Sequence, residues 1–258
     1  MDEFTGGRTL VYRSDNIVER RKRILRVARK MIAENGLSGF SVRELAQRAG
    51  IAQKTLYNAF GSKENVIALA IRQYMDDFNT RMTTSFETGT LEERLEKLIK
   101  VHSRNVQIRP YTTAIMGVYN SFTADPAIRQ VIRHVSEEGL RPFANWLVTT
   151  RQLAPGVTLD AFIKLQTTNV YATLTDWCLG EIPDEKLVDH ITENFLCGVV
   201  SSAKGKIQAE AQRWLEDLRN QRPSWTALRR LAEVPTIDSL ELHTEKPPAA
   251  RSRKKRPT

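Results

Sequence analysis

Apolar residues recur with a helical period along most of the chain. Between Ile24 and Ile32 they fall at i, i+3, i+4, i+7 and i+8, the spacing of one face of an amphipathic helix. Gly36, after Asn35, is a helix-ending signal. No stretch alternates apolar and polar residues with the turn chemistry of a sheet. The pattern predicts an all-α protein whose first helix carries a cationic opposite face: Arg20, Arg21, Lys22, Arg23, Arg26, Arg29 and Lys30.

Two short helices follow the first one. Ser41 and Glu44 have the spacing of a capping box, so a helix begins at Ser41 and stops near Gly50. Residues 53–60 form a second short helix, whose inward positions are Leu56, Ala59 and Phe60. Two short helices joined by a glycine-containing turn are typical of a helix-turn-helix, here at about 41–60.

The rest of the chain repeats the helical theme. Thr90 and Glu93 form a second capping box, Pro110 ends or kinks the helix that starts there, and Asp125-Pro126 opens another. Further apolar periodicity predicts long helices at Val66–Phe78, Leu159–Leu179 and Asp184–Ala203, and two shorter ones beyond Gly205.

Composition places the chain among globular proteins. It has 258 residues, of which 41% are hydrophobic and 27% charged, and its net charge is +9. The charge is uneven, because residues 1–62 carry 12 basic and 6 acidic side chains and residues 251–258 carry 5 basic and none acidic. A basic beginning and end therefore flank a nearly neutral middle. The charge run at the end is typical of a solvated, disordered tail, whereas the charge at the beginning lies within an ordered helical pattern.

Other classes of function receive no support from the sequence. Cys178 and Cys197 lack partners at metal-ligand spacing and read as reduced thiols, and we expect no metal and no cofactor. No apolar run is long enough for a membrane span and the first residues lack signal-peptide character, so we expect a cytoplasmic protein without a membrane partner. No phosphate-binding loop, nucleophile elbow or zinc signature indicates an enzyme, although a site assembled from distant residues stays open.

Residues 21–78 contain Ala33-Glu-Asn-Gly36, Phe40-Ser-Val-Arg-Glu-Leu-Ala46, Thr55-Leu-Tyr57 and Ser62-Lys-Glu64. This ordered set resembles the N-terminal DNA-binding domain of the TetR family of bacterial transcriptional regulators. The resemblance implies an all-α homodimer with a three-helix DNA-binding domain and a larger helical ligand-binding and dimerisation domain. The last two body helices of each subunit usually form a four-helix bundle in that family, and Leu159–Leu179 and Asp184–Ala203 are the candidates.

The pattern and the resemblance together suggest five segments. We expect a flexible basic arm at 1–16, with Arg8 and Arg13 either disordered or in a minor groove. We call residues 17–78 the head, 79–205 the body and 206–234 the extension, and expect a basic disordered tail at 235–258. The extension is assigned either to the dimer interface or to the roof of a pocket.

Seven head residues are candidate DNA contacts. The second helix of the motif is the one that enters the major groove, where Gln and Asn pair with adenine, Lys with guanine and the Thr methyl with thymine. By resemblance, Arg43 reads guanine or clamps a phosphate, and Tyr57 and Lys63 touch phosphates; the alternative for Tyr57 is a core aromatic. The set is Arg43, Gln53, Lys54, Thr55, Tyr57, Asn58 and Lys63.

The chain departs from the family pattern at two adjacent positions. Ala52 stands where a capping Ser or Thr is common, and Lys54 stands where Gly or Pro is common. A poor N-cap loses about 1 kcal/mol, so the departure bears on the pose of the reading helix rather than on the fold.

The body contains candidates for a small-molecule effector site, because pockets are mostly apolar with a few placed polar groups. The candidates are His102, Asn105, Tyr111, Tyr119, Gln166 and Asn169. The sequence thus predicts a regulator, more often a repressor than an activator, that binds a pseudo-palindromic DNA operator as a homodimer and is released by an effector. The alternative is a helical interaction protein with a non-specific basic surface.

Overall fold

The computed structural model describes residues 7–83, 90–123 and 125–232. Apart from one antiparallel bridge between Leu153 and Ala203, these residues contain no β-structure. The all-α prediction is therefore confirmed for the part of the chain that is described. The helices are α1 Gly7–Asn35, α2 Val42–Arg48, α3 Gln53–Phe60, α4 Lys63–Thr83, α5 Leu91–Gln107, α6 Arg109–Tyr119, α7 Pro126–Thr149, α8 Leu159–Leu179, α9 Leu187–Ser202, α10 Lys206–Arg219 and α11 Pro223–Leu231.

The boundaries of the short helices follow from their caps. The hydroxyl of Ser41 accepts a hydrogen bond from the amide of Glu44 at 3.4 Å, which satisfies one free amide at the start of α2. Gly50 has a φ of +64° in the turn between α2 and α3, a conformation that glycine adopts without strain. Ala52, which precedes α3, makes no side-chain capping bond. The start of α2 is thus stabilised by a local capping hydrogen bond, whereas α3 lacks one and depends on its packing against the head core.

The first helix is longer than the sequence suggested. The expected flexible arm is wrong for residues 7–16, which are helical and continuous with the rest of α1. This segment contains no proline, and after Gly7 nothing in it stops a helix that the downstream turns already nucleate. Residues 1–6 of the expected arm, and the expected tail at 235–258, lie outside the described residues.

Arg29 is a second correction within α1. We predicted it on the cationic face, but it is only 3% exposed, since α1 packs against both α4 and α6 rather than along a single stripe. Its guanidinium donates to Oε1 of Gln73 at 3.4 Å and lies 5.8 Å from the centre of the Tyr74 ring. Burial lowers the pKa of Arg29 from its usual value.

The body is built from α5 to α9. Pro110 lies in the first turn of α6, so the helix that starts at Leu91 ends before it, as one of the two predicted outcomes. α7 runs from Pro126 through Pro142 without ending. A short 3-10 turn at Asp184–Lys186 precedes α9, where a continuous helix was predicted.

The extension folds back onto the body. α10 and α11 pack against α9 and α5, and Trp225 of α11 is completely buried. Arg229 pairs with the buried Asp189 at 2.9 Å and Arg219 pairs with Glu193 at 2.8 Å, so both helices are tied to α9. One flank of α9 is therefore covered by the chain's own extension.

Candidate functional site

The exposed surface of α3 carries most of the predicted DNA contacts. Gln53, Lys54 and Asn58 are exposed, and Thr55 is half-buried. Leu56 and Phe60 are buried beneath them, which fixes the orientation of the helix on the head core. Ala59, predicted to face inward, is exposed because the core contact of α3 is limited to Leu56 and Phe60, one turn apart.

The remaining predicted contacts border that surface. Tyr57 is 45% exposed, so its ring is not part of the core and its hydroxyl is accessible. Arg43 is exposed on α2. Lys63 is the first residue of α4, where free amides favour an anion, and its ammonium lies 5.9 Å from the centre of the Phe40 ring. All seven predicted side chains are therefore at least partly exposed, and they lie on the three consecutive helices α2, α3 and α4.

Cations of α1 flank the same surface. Arg21 places its guanidinium 4.9 Å from the centre of the Phe60 ring, and Arg23 donates to the carbonyl of Ala49 at 3.3 Å. Arg23 thereby joins α1 to the turn that leads into α3. Arg48, in contrast, is paired with Glu34 and, at 2.6 Å, with Glu44. The cations of this surface therefore come from all four helices: Arg21 and Arg23 on α1, Arg43 on α2, Lys54 on α3 and Lys63 on α4.

A second candidate site is a cavity inside the body. It has a volume of about 120 Å³ and is bounded by α4, α5, α6, α7, α8 and α9. Most of its wall is apolar, as is usual for small-molecule sites. The apolar lining includes Ile71, Leu98, Val101, Ile108, Ile115, Met116, Ile132, Val135, Leu140, Val170, Leu174 and Phe195.

Four of the six predicted effector candidates line this cavity: His102, Asn105, Tyr111 and Gln166. Tyr119 and Asn169 are not among its lining residues. Tyr119 instead lies with its ring centre 4.2 Å from that of Tyr171, and the backbone carbonyl of Asn169 accepts a bond from Thr173. The structure therefore brings together a subset of the predicted residues, contributed by α5, α6 and α8.

Sequence reasoning missed two cationic residues of the cavity, Arg94 and Lys97. They stand one turn apart on α5 and read, in sequence, as the solvated face of an amphipathic helix. Nothing local distinguishes them from Lys100 on the same helix, which pairs with Glu96 at 3.4 Å. Their position becomes visible only when α7 packs over α5, since both reach the carbonyl of Gly139.

Burial determines the protonation of the polar lining. Burial, with the nearby charge of Arg94, lowers the pKa of His102 to about 3, so this imidazole is neutral at physiological pH. The side-chain amide of Asn105 donates to Nδ1 of His102 at 3.1 Å, which leaves the proton on Nε2. Burial also raises the pKa values of Tyr111 and Tyr171, which remain phenols.

Several polar atoms of the lining have no hydrogen-bond partner among the described residues. They are Tyr111 Oη, Gln166 Oε1, Thr167 Oγ1 and Arg94 Nε, all inaccessible to water. An unsatisfied buried polar atom costs about 1 to 3 kcal/mol, and such atoms in a cavity are suited to a bound molecule. The cavity is thus furnished with unused donors and acceptors.

The described ranges offer neither a metal site nor a membrane-spanning helix. Within residues 7–83, 90–123 and 125–232, no cluster of three or more His, Cys, Asp or Glu side chains has the arrangement of a metal site. Within the same ranges, no helix combines the length and apolar character needed to cross a membrane. Both cysteines are free thiols.

Comparison with known proteins bears on the head first. The model for bacterial regulatory proteins of the tetR family matches residues 24–70, which include α2, α3 and the start of α4. KstR2 from Rhodococcus jostii, an HTH-type transcriptional repressor, is 40% identical over 148 residues, covering 56% of this chain and 66% of that protein. KstR2 from Mycolicibacterium smegmatis is 37% identical over 100 residues, covering 39% of this chain and 48% of that protein.

The fold of the head and body together is also found in solved structures of other proteins. The crystal structure of FadR, a transcriptional regulator from Bacillus subtilis, in complex with stearoyl-CoA, has a TM-score of 0.55 and 21% identity, covering 69% of this chain and 97% of that one. The aligned part of the chain spans between about half and two thirds of the length of the curated relatives named above. The helix-turn-helix head and the helical body are both shared with transcription regulators, and the chain belongs to the TetR family.

Proposed function

We propose that this protein is a cytoplasmic DNA-binding transcriptional regulator, a repressor, which binds a pseudo-palindromic operator as a homodimer and is released by a small-molecule effector. One observation carries the proposal. The head matched by the family model presents Gln53, Lys54, Tyr57 and Asn58 outward on α3 while Leu56 anchors that helix to the core. Since relatives in the family are regulators, we infer that the protein acts by binding and is not an enzyme.

The chemistry of the exposed surface suits duplex DNA. Gln53 and Asn58 carry amides that pair with adenine, and Lys54 donates to guanine. Thr55 offers a methyl group to thymine. Cations around α3 supply the salt-dependent part of the affinity by releasing counterions from the phosphates. Tyr57 and Lys63 are placed at the margins of this surface, as phosphate contacts require, and Arg43 adds either a guanine or a phosphate contact from α2.

The proposed dimer surface lies on α8. Ala161, Leu165, Thr168 and Ala172 are all exposed and lie on one stripe of this helix, and Leu165 is 38% exposed. One flank of α9 is occupied by α10, so a partner approaches from the α8 side. A Leu165→Glu substitution places a charge at the centre of that stripe, and we expect it to yield monomers in sedimentation experiments. A dimer that persists would place the interface elsewhere.

Release by an effector requires a connection between cavity and head, and α4 provides it. Val66, Ile67 and Ala70 are buried in its first half, below the helix-turn-helix. One turn further on, Ile71 and Tyr74 line the cavity. A ligand that repositions α4 changes the relative placement of the two heads, and a two-site operator is sensitive to that placement.

The experiment that tests the function is selection of bound duplexes from a random pool. Recovery of an inverted repeat would support both sequence reading and two-fold symmetry. Gln53→Ala combined with Thr55→Ala should abolish the preference for the selected duplex and leave a salt-sensitive background. Ser38→Ala, an exposed change between α1 and α2, is the matched control in the head and should keep the preference.

Two outcomes contradict the proposal. If no sequence is enriched and binding depends only on salt, the protein is an interaction protein with a non-specific basic surface. If the double variant retains the full preference, α3 is not the reading helix.

A further inference from the structure

Two cations of the cavity lining, Arg94 and Lys97, form no ion pair within residues 7–83, 90–123 and 125–232. Arg94 Nη1 and Lys97 Nζ approach the same backbone carbonyl, that of Gly139, at 3.3 and 3.5 Å. Both distances are at the long end for hydrogen bonds, and a carbonyl is a neutral acceptor that two cations here share. Among the described residues that line the cavity there is no aspartate or glutamate.

Two of the acidic side chains near these positions in the chain have other partners. Glu96, on the same helix, pairs with Lys100 at 3.4 Å, and Glu137 on α7 pairs with Arg133 at 3.0 Å. No carboxylate of the cavity lining therefore neutralises the positive charge at this wall in the part of the chain that the structure describes. Retaining two charges in such a place is costly unless something of opposite charge binds there.

The two cations also have lowered pKa values. Burial lowers the pKa of Arg94 to about 10, and burial together with the charge of Arg94 lowers the pKa of Lys97 to about 8. Both groups remain predominantly protonated at pH 7, so the cavity wall is dicationic when no ligand is bound. His102, in the same field, is neutral and does not add to the charge.

The remainder of the cavity is suited to an apolar body with a few hydrogen bonds. The Arg94 guanidinium lies 5.4 Å from the centre of the Phe195 ring, and Gln166 donates to the Phe195 carbonyl at 3.3 Å, so Gln166 belongs to the cationic end. Its Oε1 is unpartnered there. Tyr111 has its unpartnered hydroxyl toward the end formed by α4, since its ring lies against Tyr74.

We propose that the effector is an amphiphilic organic acid whose carboxylate is bound by Arg94 and Lys97 and whose apolar part fills the space beneath Phe195. The carboxylate replaces the Gly139 carbonyl as the acceptor for both cations and forms two charge-assisted hydrogen bonds. This inference rests on the proposed function only in calling the ligand an effector; the binding itself does not depend on DNA.

The test uses matched ligands that differ in charge alone. Binding of decanoate and of decan-1-ol to the full chain is measured by isothermal titration calorimetry without DNA, and 2-naphthoate and 2-naphthalenemethanol form a second pair of different shape. Because hydrogen bonds to charged groups are stronger than neutral ones, we expect at least one acid to bind about 10- to 100-fold more tightly than its alcohol.

Variants of the cavity wall assign that preference to the two cations. Arg94→Met plus Lys97→Met should remove the preference for the acid, with the alcohol bound as well as before or better. Lys97→Arg keeps the charge and should keep the preference. Lys100→Met removes a cation from the same helix but outside the cavity lining, and it is the matched control that should also keep the preference.

The proposal is overturned if neither acid binds, if acid and alcohol bind equally, or if the double methionine variant retains the preference. Circular dichroism and thermal unfolding of each variant establish that it is folded, and Lys97→Met alone serves as a milder change. Failure of the duplex selection would refute the regulator function and leave this result intact. Conversely, a confirmed operator with no charge preference in the cavity would refute only this inference.

Discussion

The contact between α8 and α9 predicts how a substitution at Gly198 changes the stability of the protein, and distances decide whether the change is stabilising or destabilising. Gly198 on α9 faces Gln166 on α8, and a Cβ built on Gly198 lies 2.4 Å from Gln166 Nε2 and 3.0 Å from its Cδ. Since non-bonded atoms settle near 3.5 to 4.0 Å, the Gly198→Ala substitution must displace the glutamine by about 1 Å. Gln166 is only 1% exposed, and its amide is bonded to the Phe195 carbonyl, so moving it into the cavity breaks that bond.

Two opposing effects decide the outcome. Alanine is better than glycine inside a helix by about 1 kcal/mol. Displacing Gln166 strains a close-packed interface and breaks its bond to the Phe195 carbonyl, with overpacking costs of about 1 to 3 kcal/mol and a similar cost for an unpaired buried amide. The two costs together exceed the gain, and we expect Gly198→Ala to destabilise the protein by about 1 to 5 kcal/mol.

Gly117 offers a matched control. It lies within α6, and a Cβ there has nothing within 4 Å, so Gly117→Ala should stabilise by up to about 1 kcal/mol. Urea denaturation at one protein concentration measures both variants by their midpoints at constant slope. In a Gln166→Ala background, which removes the obstacle, the same Gly198→Ala change should turn stabilising. Equal shifts for Gly198→Ala and Gly117→Ala, or the absence of this reversal, would refute the reasoning.

Three further predictions follow from single contacts. Ala52→Ser supplies the missing N-cap of α3 and should raise stability by about 1 kcal/mol in urea denaturation, whereas an unchanged midpoint would show that the cap is supplied otherwise. Lys97→Met should stabilise the protein at pH 7 by on the order of 1 to 3 kcal/mol, because the lowered pKa of about 8 reports that the fold disfavours the charged amine. That penalty is present below pH 8 and vanishes as the pH rises toward the unfolded value of 10.5, so parent and variant should converge in denaturation at pH 10; a constant difference would contradict it. Arg229→Ala leaves the buried Asp189 carboxylate without its ion pair and should lower the midpoint by the equivalent of about 1 to 3 kcal/mol, more than Arg230→Ala on the exposed side of α11.

The sequence allowed the helices to be predicted because their ends are encoded locally. Ser41, Thr90 and Asp125 cap helices within three residues of themselves, and such short-range hydrogen bonds need no knowledge of the rest of the chain. The exposed face of α3 was predictable for a similar reason, since Leu56 and Phe60 define its inner side. Even there the prediction that Ala59 faces inward was wrong. Helical periodicity identifies the side of a helix that faces the core but not how many residues on that side are buried.

Features formed by several helices could not be predicted in this way. Arg29 has the same sequence surroundings as the exposed cations of α1, and its burial arises because α6 as well as α4 packs against that helix. Arg94 is one position away from the apolar stripe of α5, and only the approach of α7 brings it into a cavity. The surroundings of a charged residue at the edge of an amphipathic helix therefore cannot be predicted from that helix alone. Here Arg29 is buried between helices and Arg94 lines the cavity.

A chain of contacts through two buried arginines, Arg29 and Arg104, joins the head to the cavity. Arg29 belongs to α1 and lies over Tyr74, Tyr74 accepts a bond from Arg104 at 3.2 Å, and its ring meets Tyr111 edge to face at 5.3 Å. Tyr74 and Tyr111 both line the cavity, so a ligand that moves either ring changes the surroundings of an arginine whose burial is already costly. A coupling free energy of about 1 to 3 kcal/mol between the ligand-free and ligand-bound positions of these rings changes affinity at a distant site by about 5- to 150-fold. Under the proposed function, release from DNA needs only a shift of the aromatic contact on which α1 rests and no large rearrangement of the body.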